Sequence, residues 1–410
     1  MKPSGIEWIG DIPDDWEVIK TKFLFNVYGG STPKVNVSEY WGDKITWITP
    51  GELGDDIKIV LNSKRMLSEK GLNSCGATLV SKGSIIISNR APIGQVCLAG
   101  SELCTNQGCK SLVAKIKLSC LFFYYFFKVQ SEVLNMLGNG TTFMELSTSD
   151  LLNFKIPFPT IKEQQKIADY LDEKCGEIDA TITKQKESIE KLKAYKQSLI
   201  SETVTKGLDK SAPLKPSGID YLGDIPSHWE IKKLKFLVSL IDNKTKDGHS
   251  ISLENIESGT GKLIETENTY DGEGISFKEN DLLFGKLRPY LAKVYLSALK
   301  GRALGDFYVM RANKGTNPNF LKFVLLSDWF IKIVDSSTYG TKMPRASWDF
   351  TGGMRIPLPP ISEQDCISSY LETKCSEVDT FIIEKQNIIQ KLDAYKKSLI
   401  FECVTGKRLV

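Results

Sequence analysis

Polar side chains gather at three places in the first half of this 410-residue chain and again at three places in the second. Asn89-Arg90 is matched by Lys286-Leu287-Arg288, Thr105-Asn106-Gln107 by Gly305-Asp306, and Gly140-Thr141-Thr142 by Gly340-Thr341-Lys342 near Arg345. Arg and Lys suit guanine edges and phosphates, Asn and Gln suit adenine, and an acid accepts from cytosine. The tips follow strand-like runs, and binding side chains concentrate on loops carried by a rigid scaffold. The candidate DNA contacts are therefore Lys34, Asn89, Arg90, Asn106, Gln107, Thr141, Thr142, Lys286, Arg288, Asp306, Lys342 and Arg345.

Catalytic chemistry has little to draw on. The two histidines are His228 and His249, and the first half has Asp15 where the second has His228, which argues against a shared catalytic role. No GxxxxGK[ST] phosphate loop occurs: Gly285-Lys286 is followed by Leu287, and Asn280 stands where the leading glycine belongs. An Asn-Pro-Pro-aromatic or Asp-Pro-Pro-aromatic motif, of the kind amino-methylating enzymes carry, is also missing. Cys97, Cys104, Cys109 and Cys120 are spaced by 7, 5 and 11 residues, unlike a metal knuckle. The expectation is no catalytic residue, no metal and no cofactor held by this chain, with nine reduced, structural thiols.

Positioning such loops calls for a scaffold, and length alone requires more than one core. Net charge is only +3, from 53 basic and 50 acidic residues, so a nucleic-acid partner must be met by locally concentrated cations. MKPSGIEWIG lacks the pattern of a signal peptide, and the most apolar run, Leu118 to Val129, is interrupted by Ser119, Cys120 and Lys128. A soluble, cytoplasmic protein is expected.

The scaffold is doubled. Lys2 to Glu17 and Lys215 to Glu230 share 11 of 16 residues at an offset of 213, while Lys191 to Ile200 and Lys391 to Ile400 share 8 of 10 at an offset of 200. Two copies thus share their ends and differ in their middles. Downstream of Ile156-Pro-Phe-Pro159 and Ile356-Pro-Leu-Pro359, apolar residues follow heptad spacing. One seam is Leu171, Cys175, Ile178, Ile182, Gln185, Ile189, Leu192 and Leu199; the other is Leu371, Cys375, Val378, Ile382, Lys385, Ile389, Leu392 and Leu399. Each predicts a helix of about 39 residues, roughly 58 Å at 1.5 Å per residue, and neither can bury its stripe alone. Glu163 and Glu363 sit where the helix dipole favours an acid. Gln185 and Lys385, polar in both seams, suit a register-fixing role. An antiparallel pair would set two globular domains at opposite ends of a rod.

In the middles, Ile45–Ile48, Ser84–Ser88 and Asp281–Phe284 read as strands, Gly29–Pro33 as a turn, and Phe122–Phe127 and Phe320–Val334 as buried helix. The expected class is α+β: two mixed α/β domains, at 1–158 and 211–358, and two long helices, at 159–210 and 359–410, in a pseudo-twofold repeat.

This order of blocks resembles the specificity subunit of Type I restriction-modification enzymes. The resemblance rests on Ser4 to Trp16, on Gly29-Gly-Ser-Thr-Pro33 with Tyr40-Trp41 and Ile45-Thr-Trp-Ile48, and on IPFPTIKEQ with its helix. The second opening, Ser217 to Trp229, and IPLPPISEQ with the second helix complete it. It implies that each middle is a target recognition domain for one half of a split, asymmetric site in double-stranded DNA, and that the helices form an antiparallel coiled-coil spacer. It also implies two methylation subunits and nuclease-translocase subunits as partners, with S-adenosylmethionine and ATP bound by those partners. The second domain departs from the pattern: Asp242–Thr245 and Ile251–Glu254 replace the GGSTP turn and the tryptophan block. A coiled-coil interaction protein with no DNA role is the alternative. Binding to random duplex across a salt series separates the two.

Overall fold

A computed structural model describes residues 1–54, 57–138, 144–264, 272–340 and 342–410. It divides into two compact units, Met1–Lys184 with Ile388–Val410, and Gln185–Asn387. The segments expected from the sequence follow chain order, whereas each unit takes a part of both long helices.

In the first unit Phe25–Gly29, Cys109–Ala114, Ile85–Ser88, Val96–Ala99 and Ile59–Val60 form a five-stranded sheet in that order. Ile85–Ser88 is buried along its whole length, as a strand covered on both faces must be. The helix Cys120–Val129 has all six aromatics from Phe122 to Phe127 buried. A helix apolar all round has to be enclosed. Its cluster joins Phe25, Ile85 and Leu112 of the sheet to Ile167, Leu171 and Cys175 of the first long helix.

The second unit keeps that plan. Val238–Ile241, Phe307–Ala312, Asp281–Gly285 and Val294–Leu296 form its main sheet in the same order and the same antiparallel sense as the first four strands above. The middle that lacks the GGSTP turn therefore builds the same sheet. The expected helix over Phe320–Val334 is two, Pro318–Leu326 and Asp328–Ser336, parted at Ser327.

The long helices span Ile161–Lys206 and Ile361–Val404, 46 and 44 residues. That is longer than the seam predicts, and about 69 and 66 Å at 1.5 Å per residue. They run on to Gly207 and Gly406, whose φ of +72 in both cases ends a helix at no steric cost. In the second unit Gln185 meets Lys385 (3.1 Å) and Lys196 meets Asp379 (2.7 Å), so partner numbers fall as the first helix advances and the pair is antiparallel. In the first unit Asp179 pairs with Lys396. The seam residues Leu171, Cys175, Ile178, Ile182 and Ile189 are buried, as are Leu371, Cys375, Val378 and Leu399. The polar seam residues pair with each other.

The doubled opening blocks fasten the helix ends. Buried Trp16 donates its indole N–H to Glu163 Oε1 (3.4 Å), and a Cβ on Gly406 would lie 3.3 Å from the Trp16 ring and 2.3 Å from Pro13. In the second unit buried Trp229 donates to Glu363 Oε1 (3.1 Å), and a Cβ on Gly207 would lie 3.0 Å from its ring. Each tryptophan thus holds the start of one long helix and the end of the other. The next residue is a fully buried glutamine. Gln164 accepts from Ser119 N and donates to Pro159 O, while Gln364 accepts from Asn317 N and donates to Pro359 O. It ties each long helix to the first turn of the helix that covers the sheet.

Asp379 accepts from Lys196 (2.7 Å) and from Lys262 (2.8 Å). Burial alone would raise its carboxyl, but the hydrogen bonds and attraction of the two ammonium groups outweigh this and hold it below the ordinary range. A depressed folded-state value contributes stability that is present above the unfolded value, about 3.9, and lost as pH falls through the folded one. Asp379→Asn is accordingly expected to cost about 1–3 kcal/mol near neutrality. The gap from the unaltered chain should close below about pH 3.9 in denaturant titrations; a gap constant from pH 7 to pH 2 contradicts the assignment.

Candidate nucleic-acid interface

Backbone hydrogen bonds gather the predicted loops at one end of each main sheet. In the first unit Asn89 N donates to Gly108 O, Leu146 N to Asn89 O, and Ser31 N to Thr105 O, each at 2.9 Å. Gly30 is required here, since a Cβ would fall 1.9 Å from Asn106 O. Trp47 supports the same turn by donating its indole N–H to Ser31 O (2.9 Å). In the second unit Lys286 N donates to Asp306 O, Ala346 N to Lys286 O, and Arg288 N to Pro344 O, at 2.8–2.9 Å.

Sheet register makes the two ends comparable. Ser88 pairs with Cys109 as Gly285 pairs with Phe307, so Asn89 corresponds to Lys286, Arg90 to Leu287 and Gly108 to Asp306. The bridges Arg90–Glu145 and Leu287–Arg345 make Glu145 the counterpart of Arg345. The charges are inverted between the units. Glu145 binds Arg90 (3.0 Å) and Asn89 Nδ2 (2.8 Å), whereas Arg345 binds Asp306 through two N–H groups (3.1 and 2.9 Å). Lys286 Nζ stands 3.9 Å from Asp306 and 5.5 Å from the centroid of the Tyr308 ring.

The predicted residues divide by accessibility. Arg90, Gln107, Arg288, Lys342 and Lys34 are exposed, and Asn106, Lys286, Asp306 and Arg345 are partly open. Asn106 Oδ1 accepts from Gly108 N, shaping its own turn. Asn89 is fully buried, so its amide braces the Glu145 segment instead of facing a duplex; its Oδ1 has no hydrogen-bond partner among the described residues. Arg288 holds a left-handed backbone, φ +51, a conformation that costs a non-glycine residue about 1–3 kcal/mol and clusters at functional loops. Thr141 and Thr142 lie outside the described residues. Sequence reasoning missed Glu145. The signal was available, because it stands at an offset of 200 from Arg345.

Burial pushes the Cys97 and Cys104 thiols up to about 12 and raises Cys109 too, so none of the three supplies a thiolate. Among the described residues no group of three or more His, Cys, Asp and Glu could hold a metal, and no helix is long and apolar enough to cross a membrane.

Residues 13–193 match the family model described as Type I restriction modification DNA specificity domain. The chain is 30% identical to the Type I restriction enzyme MjaIX specificity subunit of Methanocaldococcus jannaschii, over 97% of this chain and 95% of that one. It is 21% identical to the EcoDI specificity subunit of Escherichia coli, over 72% of each. Its fold is similar to a chain from a structural study of complex assembly and conformational transition in the type I R-M system (TM-score 0.73, 13% identity, 97% and 100% covered). It is also similar to the HsdS subunit of Thermoanaerobacter tengcongensis (TM-score 0.55, 14% identity, 97% and 98% covered).

Proposed function

Since the chain belongs to the specificity subunits of Type I restriction enzymes, we propose that its two units read the two halves of an interrupted, asymmetric site in double-stranded DNA, one half each. Its role in that family is DNA recognition without catalysis of its own. What supports the two-part reading most is the convergence of equivalent loops at one end of two matched sheets, carrying inverted charge. A shared backbone with different donors and acceptors suits two different half-sites. The paired long helices set the spacer between them. Two methylation subunits clasp this scaffold and bring S-adenosylmethionine; nuclease-translocase subunits add ATP-driven restriction, and the complex works in the cytoplasm.

Mapping methylated bases genome-wide in cells expressing the chain with its methylation partner tests the reading. Two unlike short motifs at a fixed spacing are expected, and one uninterrupted motif overturns it. Arg345→Ala leaves Asp306 without its bidentate partner. Discrimination should then fall by about 1–3 kcal/mol in one half-site, read as relaxed bases in that half of the methylated motif, and relaxation in both halves contradicts the assignment.

A further inference from the structure

Each reading end holds one arginine by the same edge. In the first unit Arg90 donates its Nε–H to Glu145 Oε2 (3.1 Å), its Nη2 lies 3.0 Å from that oxygen, and Asn89 Nδ2 fixes the other one (2.8 Å). In the second unit Arg345 donates from Nε and Nη2 to the two oxygens of Asp306 (3.1 and 2.9 Å). Nη1 of either guanidinium has no partner among the described residues, and the side chains remain open, Arg90 47% and Arg345 40% exposed.

The two units build this arrangement from residues that do not correspond. Arg90 has Leu287 as its counterpart, Glu145 has Arg345, and Asp306 has Gly108. The arginine therefore comes from the loop after Ile85–Ser88 in one unit and from the last of the three loops in the other. Descent from a common copy does not explain such a match. Bracing does not require it either: backbone bridges Arg90–Glu145 and Leu287–Arg345 already join these loops, and an exposed ion pair adds little to stability.

A guanidinium gripped along its Nε edge presents Nη1 and Nη2 end-on, a planar fork of two donors. In the major groove guanine alone offers two acceptors, N7 and O6, to such a fork. Adenine sets a donor beside its N7, cytosine shows a donor, and thymine has one acceptor beside a methyl group. The acid also removes rotamer freedom from the arginine in advance, so less is lost on contact. We propose that each half of the site contains a guanine, read end-on by Arg90 in one half and by Arg345 in the other, with Glu145 and Asp306 as positioning residues. Asp306, engaged through both oxygens, serves the arginine rather than cytosine. The proposal rests on the function argued above and names a base within it.

The test uses the full chain with its methylation subunit, and duplexes carrying the site mapped from methylated bases. An invariant G·C pair is expected in each half. A two-part site in which either half lacks one overturns the proposal alone, and an uninterrupted site overturns the two-part reading with it. Replacing N7 of the read guanine by C–H, as in 7-deazaguanine, should weaken binding by the unaltered chain about tenfold in either half. Arg90→Lys and Arg345→Lys keep the charge and lose the fork. Each should bind the natural and the modified duplex equally in its own half and keep the sensitivity in the other. Asp306→Asn should lower the preference for guanine over adenine at the Arg345 position by about tenfold, while binding to random duplex strengthens because an acid near phosphate is gone. Guanines that all tolerate the analogue overturn the proposal, as do lysine variants that keep the sensitivity in both halves; an unchanged preference in Asp306→Asn overturns the positioning role.

Discussion

Exchanging residues 25–153 for the corresponding segment of another specificity subunit is expected to rewrite one half of the recognised site and leave the other half as it was. The cut after Leu24 and before Phe154 leaves the strand pair Glu17–Lys20 with Lys155–Phe158 intact, together with Trp16 and Glu163 that fasten the helix ends. The exchanged segment carries Arg90, Gln107 and Glu145, while Lys286, Asp306 and Arg345 stay. Each wrong base pair costs about 1–3 kcal/mol, so three wrong pairs in one half lower affinity for the old site by about a hundredfold or more. Methylated-base mapping of cells carrying the exchanged chain gives the answer directly. Two changed halves would refute the assignment of one half to each unit.

The second large effect is on folding. Trp229→Ala removes a fully buried indole and the N–H that Glu363 accepts. Truncating a buried tryptophan costs about 3–5 kcal/mol, and the loss falls where the first long helix ends and the second begins. Trp229→Phe keeps most of the packing and should cost about 1–2 kcal/mol, through the lost hydrogen bond and the smaller ring. Amide hydrogen exchange would show protection falling across Gln185–Asn387, with Met1–Lys184 and Ile388–Val410 nearly unchanged. Trp16→Ala should give the reverse pattern. Equal loss everywhere after either change would mean that the tryptophans do not act locally.

Much of the scaffold is legible in the sequence because it obeys a period. Leu171 to Ile182 and Leu371 to Ile382 repeat apolar residues at three- and four-residue steps, and this alone requires a partner helix. The doubling then says that the partner is in the same chain. Gln164 and Gln364 escape such reading, since their partners are backbone groups of Ser119 and Asn317, 45 and 47 residues upstream. Neighbouring residues on a strand face opposite ways, and Asn89 and Arg90 are of equal promise in sequence. The structure buries one and exposes the other. Likewise Asp306 and Arg345 were separate candidates, 39 residues apart, and only the fold joins them as an ion pair. The second middle looked unlike the first because its turn and tryptophans differ. Strand order, set by where Asp281–Gly285 and Phe307–Ala312 pair, does not depend on them.

Gln185 and Lys385 occupy the same place in the two copies, at an offset of 200, and yet they touch each other. In an assembly of two identical half-length chains, the residue at that place would have to meet itself. Lysine against lysine would repel, whereas glutamine against glutamine would pair, so a strictly symmetric pair disfavours a charged residue there. Joining the copies in one polypeptide lifts the restriction, because each position can then mutate without its twin. The unlike pair uses that freedom, at the seam position where an exact twofold would set a residue against its own copy.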